Sequence, residues 1–176
     1  MRKSNKVKQL QRESSHRRAM LANLVTSLFY HEQIKTTVAK AKAARRLAEK
    51  LITRARKNAV LELSPAEKIH NIRQARRVIK NREVLQKLFE DIGPRFAKYD
   101  KGGYTRVLKV GFRSSDASEM ALLELVEKKE LAQLKEERKA FRARLKGLAR
   151  VKTKSRSKEK EKKSKEKKEK EKSAKK

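Results

Sequence analysis

Tyr104-Thr105-Arg106-Val107-Leu108-Lys109-Val110-Gly111-Phe112-Arg113 and Met120-Ala121-Leu122-Leu123-Glu124-Leu125-Val126 are rich in β-branched and apolar residues. The polar run Ser114-Ser115-Asp116-Ala117-Ser118 joins them, so the pair reads as two strands of a β-hairpin. Most of the preceding chain has helical periodicity, and the hairpin therefore decides between an all-helical protein and an α+β one. The reading is α+β.

Upstream, Arg95 to Gly103 has loop composition. Asn81 can cap a helix carried by Val84, Leu85, Leu88, Phe89 and Ile92, which Gly93-Pro94 is expected to stop through a left-handed glycine followed by proline. Ser64-Pro65-Ala66-Glu67 has the form of a capping box with proline at the first helical position. The helix it opens is expected to face Ile69, Ile72, Ala75, Val78 and Ile79 inward. From Ala39 to about Leu63, Ala41, Ala44, Ala48, Leu51, Ile52, Ala55 and Ala59 make one stripe, with Lys and Arg largely elsewhere. Gln33 to Val38 alternates as a short strand. Ser14 and Ser15 offer caps for a first helix of Met20, Leu21, Leu24, Val25, Leu28 and Phe29 that ends near His31. The expected order is helix, strand, three helices and hairpin, in two layers with a small three-stranded sheet.

Charge names the class of partner. The 176 residues hold 52 Lys and Arg against 21 Asp and Glu, a net charge of +31, so the chain repels itself unless a polyanion neutralises it. Nucleic acid fits better than a membrane surface, because the charge runs along the whole chain and accompanies no Trp- or Phe-rich amphipathic helix. No run approaches the ~20 apolar residues of a membrane span, and no signal peptide is read at the start. Cysteine is absent, which excludes disulfides and thiolate metal sites and fits the cytoplasm. There is no Gly-rich phosphate loop or nucleophile elbow, and His16, His31 and His70 are scattered, so neither catalysis nor a metal or cofactor is expected.

The chain divides by composition. Residues 1–13 read as a basic arm, 14–126 as the core domain, 127–150 as a possible extra helix and 151–176 as a Lys/Glu-rich tail. The tail holds fourteen basic and five acidic residues, with only Val151 and Ala174 apolar. It is expected to be disordered when free and to touch RNA weakly. In the arm and at the first helix, Arg2, Lys3, Lys6, Lys8, Arg12, Arg17 and Arg18 can thread between phosphates and release counterions. Ser14 and Ser15 either bind phosphate or simply cap the helix. Gly102-Gly103-Tyr104-Thr105-Arg106 reads two ways, as a loop entering a strand or as a site where Arg106 clamps phosphate and Tyr104 stacks on a base.

Several ordered motifs carry a resemblance. Ser14-Ser15-His16-Arg17, His31-Glu32-Gln33-Ile34-Lys35-Thr36-Thr37, Gly93-Pro94-Arg95-Phe96-Ala97, Gly102-Gly103-Tyr104-Thr105-Arg106-Val107-Leu108-Lys109 and Gly111-Phe112-Arg113 resemble, in order and spacing, the bacterial large-subunit ribosomal protein seventeen family. The resemblance covers Met1 to about Glu127. It implies the same two-layer α+β fold, binding to large-subunit ribosomal RNA near the outer end of the peptide exit tunnel, contact with the large-subunit protein numbered thirty-two, and a monomer within the particle. Glu127 to Lys176 departs from the family pattern. The expected RNA-contacting set is Arg2, Lys3, Lys6, Lys8, Arg12, Ser14, Ser15, His16, Arg17, Arg18, Lys35, Lys40, Lys42, Arg46, Arg95, Gly102, Gly103, Tyr104, Arg106, Lys109 and Arg113. Two rival readings stand beside it: an architectural DNA-binding protein, and an interaction module whose 127–150 helix seeks a partner helix.

Overall fold

The computed structural model describes residues 8–99 and 101–129, with Gln133 and Glu136 beyond them. Arg2, Lys3 and Lys6 of the arm, nearly all of the expected 127–150 helix and the 151–176 tail lie outside the described residues. The elements below belong to one compact unit that ends at Lys128.

Helix α1 (Ser14–His31) leads through Glu32 into strand β1 (Gln33–Thr37), and helix α2 (Val38–Val60) follows directly. Helix α3 is Pro65–Arg76, and α4 (Arg82–Lys87) runs on through a π-helical turn at Leu88–Ile92 into a last α turn at Gly93–Arg95. Strands β2 (Thr105–Phe112) and β3 (Glu119–Leu125) close the fold. The sheet order is β1-β3-β2, antiparallel throughout, with Lys35 and Leu108 both opposite Leu122. The hairpin and the two-layer α+β architecture are as the sequence reading has them.

The core lies between the helical layer and one face of the sheet. Its α2 contribution is the small-residue stripe Ala41, Ala44, Ala48 and Ala55 with Leu51 and Ile52. From the sheet come Ala121, Leu123 and Leu125, and from α1 Val25, Leu28 and Phe29. Alanines along α2 let neighbouring backbones approach closely, and each buried Leu, Ile or Phe contributes roughly 1.5–3 kcal/mol of transfer free energy.

Local chemistry explains four departures from expectation. First, the helix does not stop at Gly93-Pro94: Gly93 is right-handed helical (φ −55°), and its N–H reaches back to Leu88. This π turn adds a residue just before Pro94, which has no N–H to donate. Glycine is required at position 93 by proximity, since a Cβ there would lie 2.9 Å from the Ala55 carbonyl carbon and oxygen. Second, the cap of α1 is Glu13, without a side-chain cap hydrogen bond, so Ser14 and Ser15 occupy the first turn. Third, Ile69 and Ile72 are exposed, whereas Ala75 and Ile79 are buried. Asn71, whose side-chain amide donates to Asn58 (2.7 Å), and Ala75 set the inward face of α3. At about 100° per residue Ile72 falls ~60° and Ile69 ~120° from Ala75. Fourth, α2 begins at Val38 and ends at Val60, so Val38 caps no strand and Ala59 is exposed. The capping box at Ser64 and Glu67 and the Asn81 cap form as read.

Gly93→Ala forces a methyl group against the α2 backbone. It is expected to destabilise the fold by roughly 1–3 kcal/mol, seen as a lower urea midpoint at unchanged m-value. Wild-type stability of this variant would show that the two helices separate freely at this point.

Candidate nucleic-acid interface

Among the described residues, cations with a carboxylate partner can be told from those without one. One group holds the frame together. Glu32 ends α1 in the left-handed conformation (φ 61°), its N–H donating to Leu28 O at 2.6 Å, and its carboxylate is 1% exposed. Lys87 Nζ lies 2.7 Å from one carboxylate oxygen, and Arg95 donates to both oxygens at 2.9 and 3.2 Å. Arg95 also donates to Asp91 (2.7 Å) and to the Glu127 carbonyl (2.9 Å). Burial works against the Arg95 charge, but Glu32 and then Asp91 outweigh it and hold the guanidinium pKa above its ordinary value.

The hairpin repeats the pattern. Glu124, also 1% exposed, accepts from Arg106 Nε (2.9 Å) and Lys128 Nζ (2.6 Å). Burial raises the Glu124 pKa, and the hydrogen bonds and charges of Lys128 and Arg106 more than reverse that, leaving it below the ordinary 4.5. Arg113 clamps Asp116, and this bond, reinforced by Ser118, holds the Asp116 carboxyl well below the usual carboxylate range. Lys109 sits 3.7 Å from Glu119.

Four expected RNA contacts are therefore otherwise engaged: Arg95, Arg106 and Arg113 are bonded to carboxylates, and Lys109 lies beside one. Tyr104 is a correction of another kind. Its ring is 1% exposed, 5.3 Å from Phe96 and 6.3 Å from Tyr99, so it is a core residue and cannot stack on a base. Gly102 and Gly103 have φ of +93° and +81°, a backbone conformation that glycine adopts without strain, and open space surrounds both positions.

The second group faces outward. At the start of α1 the first turn contains no acidic residue and Glu13 supplies no side-chain cap, which leaves backbone N–H groups open beside the exposed hydroxyls of Ser14 and Ser15. Arg12 lies 3.2 Å from His16 there, and Lys8, Arg17 and Arg18 stand nearby in sequence. A shallow groove runs down α1 past His16, Met20, Asn23 and Leu24. On α2, Lys40 lies in the first turn, while Lys42 and Arg46 lie on the exposed side. Lys35 lies apart from these, on the open face of the sheet beside Leu122. Among the described residues Lys8, Arg17, Arg18, Lys35, Lys40 and Lys42 have no carboxylate partner. Nor do the described residues contain a metal-ligating cluster or a helix long and apolar enough to cross a membrane.

Fold and charge layout define a small basic α+β protein whose internal ion pairs serve its architecture. Comparison with known proteins makes this specific: the sequence profile of the family described as Ribosomal protein L17 matches residues 20–126, and the chain belongs to that family, whose members are structural proteins and not enzymes. Among its relatives is the Large ribosomal subunit protein bL17 of Myxococcus xanthus, 47% identical over 125 residues that cover 71% of this chain and 83% of the relative. The protein of the same name from Borrelia turicatae is 50% identical over 119 residues, covering 68% and 88%. That of Leptospira biflexa is 42% identical over 149 residues, covering 81% and 86%.

Two measurements test the frame. Glu32→Gln leaves Lys87 without its carboxylate and Arg95 with Asp91 alone, and is expected to cost about 3 kcal/mol in urea unfolding. Glu124 binds its proton at lower pH folded than unfolded. Its contribution is therefore complete above the ordinary 4.5 and disappears as pH falls through the folded value. Between about pH 5 and pH 3 the wild type should lose more stability than Glu124→Gln; parallel pH curves would remove Glu124 from the acid limb.

Proposed function

We propose that this protein is a structural constituent of the large ribosomal subunit, in the cytoplasm, and that it holds ribosomal RNA through its arm, the start of α1 and the outward cations of α2. Family membership supports the ribosomal part of this reading. The observation that carries the RNA part is the segregation of charge: the frame cations have carboxylates, whereas among the described residues Lys8, Arg17 and Arg18 about the start of α1, and Lys40 and Lys42 on α2, have none. A cation without an internal partner is available to phosphate, and each contact releases condensed counterions.

The proposed contact set is Lys8, Arg12, Ser14, Ser15, His16, Arg17, Arg18, Lys40, Lys42 and Arg46, together with Arg2, Lys3 and Lys6 of the arm. Phosphate contacts of this kind fix position without reading bases, so the mechanism is architectural. Neutralisation lets RNA segments pack, and the ion-paired core sets their spacing. In keeping with the family resemblance, the neighbourhood is the outer end of the exit tunnel, beside the large-subunit protein numbered thirty-two.

The test is sucrose-gradient sedimentation of a lysate before and after a high-salt wash, run for the wild type and for Arg17→Glu/Arg18→Glu. The wild type is expected with large subunits in both gradients. The variant, folded by circular dichroism, should be washed off, and its affinity for purified large-subunit RNA should have a log–log salt slope shallower by roughly 1–2. Wild-type protein at the top of the gradient or on DNA overturns the ribosomal reading. Unchanged binding by the folded variant removes the start of α1 from the RNA surface.

A further inference from the structure

Arg45 on α2 fits neither group of cations. Its side chain is 46% exposed and donates through Nε alone, to Glu49 Oε1 at 3.0 Å. Arg95, Arg106 and Arg113 each commit at least one terminal nitrogen to a carboxylate. Arg45 commits none: among the described residues its Nη1 and Nη2 have no hydrogen-bond partner. The outer edge of the guanidinium, two parallel N–H groups that match two phosphate oxygens, therefore stays open.

The carboxylate that holds Nε is itself fixed. Glu49 Oε1 also accepts from the Thr105 hydroxyl at 3.1 Å, and Thr105 is 3% exposed at the start of β2, opposite Leu125. An ion pair between two surface side chains one helical turn apart is ordinarily loose. Here the acceptor oxygen is tied to the sheet, so the junction of α2 and β2 orients the arginine plane. Lys42, three residues before Arg45 and likewise exposed, has no carboxylate partner among the described residues. An ammonium and an oriented fork thus stand side by side, as a phosphodiester requires.

We infer that Arg45 binds an RNA phosphate through its two terminal amino groups, and that Glu49 and Thr105 are positioning residues for it. This inference rests on the RNA surface proposed for α2 and adds to it a cation that has a carboxylate partner. Its signature runs against simple charge counting. Removing Glu49 raises the net charge by one, which on electrostatics alone strengthens RNA binding. With the fork released, however, the long side chain must be ordered at the moment of binding, and affinity falls. Glu49→Gln keeps an oxygen that accepts from both Nε and the Thr105 hydroxyl, so it preserves the fork.

The experiment measures affinity of the full-length protein for purified large-subunit RNA across a salt series, with each variant checked for folding by circular dichroism. Arg45→Ala is expected to bind roughly tenfold more weakly, with a log–log slope shallower by about 1. Arg45→Lys, which keeps the charge without the fork, should keep the slope and still bind more weakly than wild type. Glu49→Ala should lose roughly threefold in affinity and Glu49→Gln should not; with Arg45→Ala already in place, Glu49→Ala should cost nothing further. Wild-type affinity of Arg45→Ala or Arg45→Lys overturns the phosphate contact. Glu49→Ala that binds as tightly as wild type, that loses no more than Glu49→Gln, or that weakens binding equally beside Arg45→Ala overturns the positioning role. Should Glu49→Ala not fold, the near-isosteric Thr105→Val takes its place with the same expectations. Failure of the ribosomal reading is recognised separately, because the wild type would then leave the RNA unbound.

Discussion

A single buried carboxylate sets the terms for the rest of the structure. Glu32 sits where α1 turns into β1, and an ionised group so enclosed in a low-dielectric interior must find cations at hydrogen-bonding distance. Lys87 and Arg95 supply them, which fixes α4 and the turn after it against the end of α1. Arg95 comes within reach because the helix runs on through its π turn, and that path presses Gly93 onto Ala55. The Glu32 backbone carbonyl meanwhile accepts the Leu125 N–H, tying in the end of β3. One residue thus couples the helical layer to the sheet through both its side chain and its main chain.

What could be read from the sequence follows the range of the interactions involved. The α2 stripe from Ala41 to Ala55, the capping box at Ser64 and Glu67, the Asn81 cap and the pairing of the two hairpin strands are local patterns, and each formed at its expected place. Ile69 and Ile72 misled because apolar residues at helical spacing do not say which side the neighbour lies on; that was decided by Asn71 and Asn58, thirteen residues apart. Gly93 misled because Gly-Pro is a helix-stop signal locally and a close-packing requirement globally.

For the site the limit was sharper. A lone Arg looks the same in sequence whether it waits for phosphate or is already paired. Arg95 and its carboxylate are 63 residues apart, and Arg106 and Glu124 are 18 apart, with only the strand register bringing them together. Gly102-Gly103-Tyr104 allows a base platform or a plain loop entering a strand, and sequence alone does not choose; the two glycines, at positive φ, precede a Tyr104 ring that lies in the core beside Phe96 and Tyr99. The one available signal was a Glu inside an otherwise apolar strand of so basic a protein, as at Glu124. An acidic residue there costs electrostatic favour toward RNA and so hints at an internal task.

The sheet order carries a consequence for how the protein is made. β3 lies between β1 and β2, yet it is the last of the three to be synthesised, and N-terminal segments are the first to leave the ribosome. Until Glu119–Leu125 has emerged, neither outer strand has its partner in this sheet. The Glu32 and Tyr104 carbonyls likewise wait for the N–H groups of Leu125 and Val126. A fragment broken off before this segment has the sequence of all the helices described here but no sheet to cover them. Completion of the core thus reports that translation has passed residue 126, and shortened products betray themselves to proteases by their bare strands.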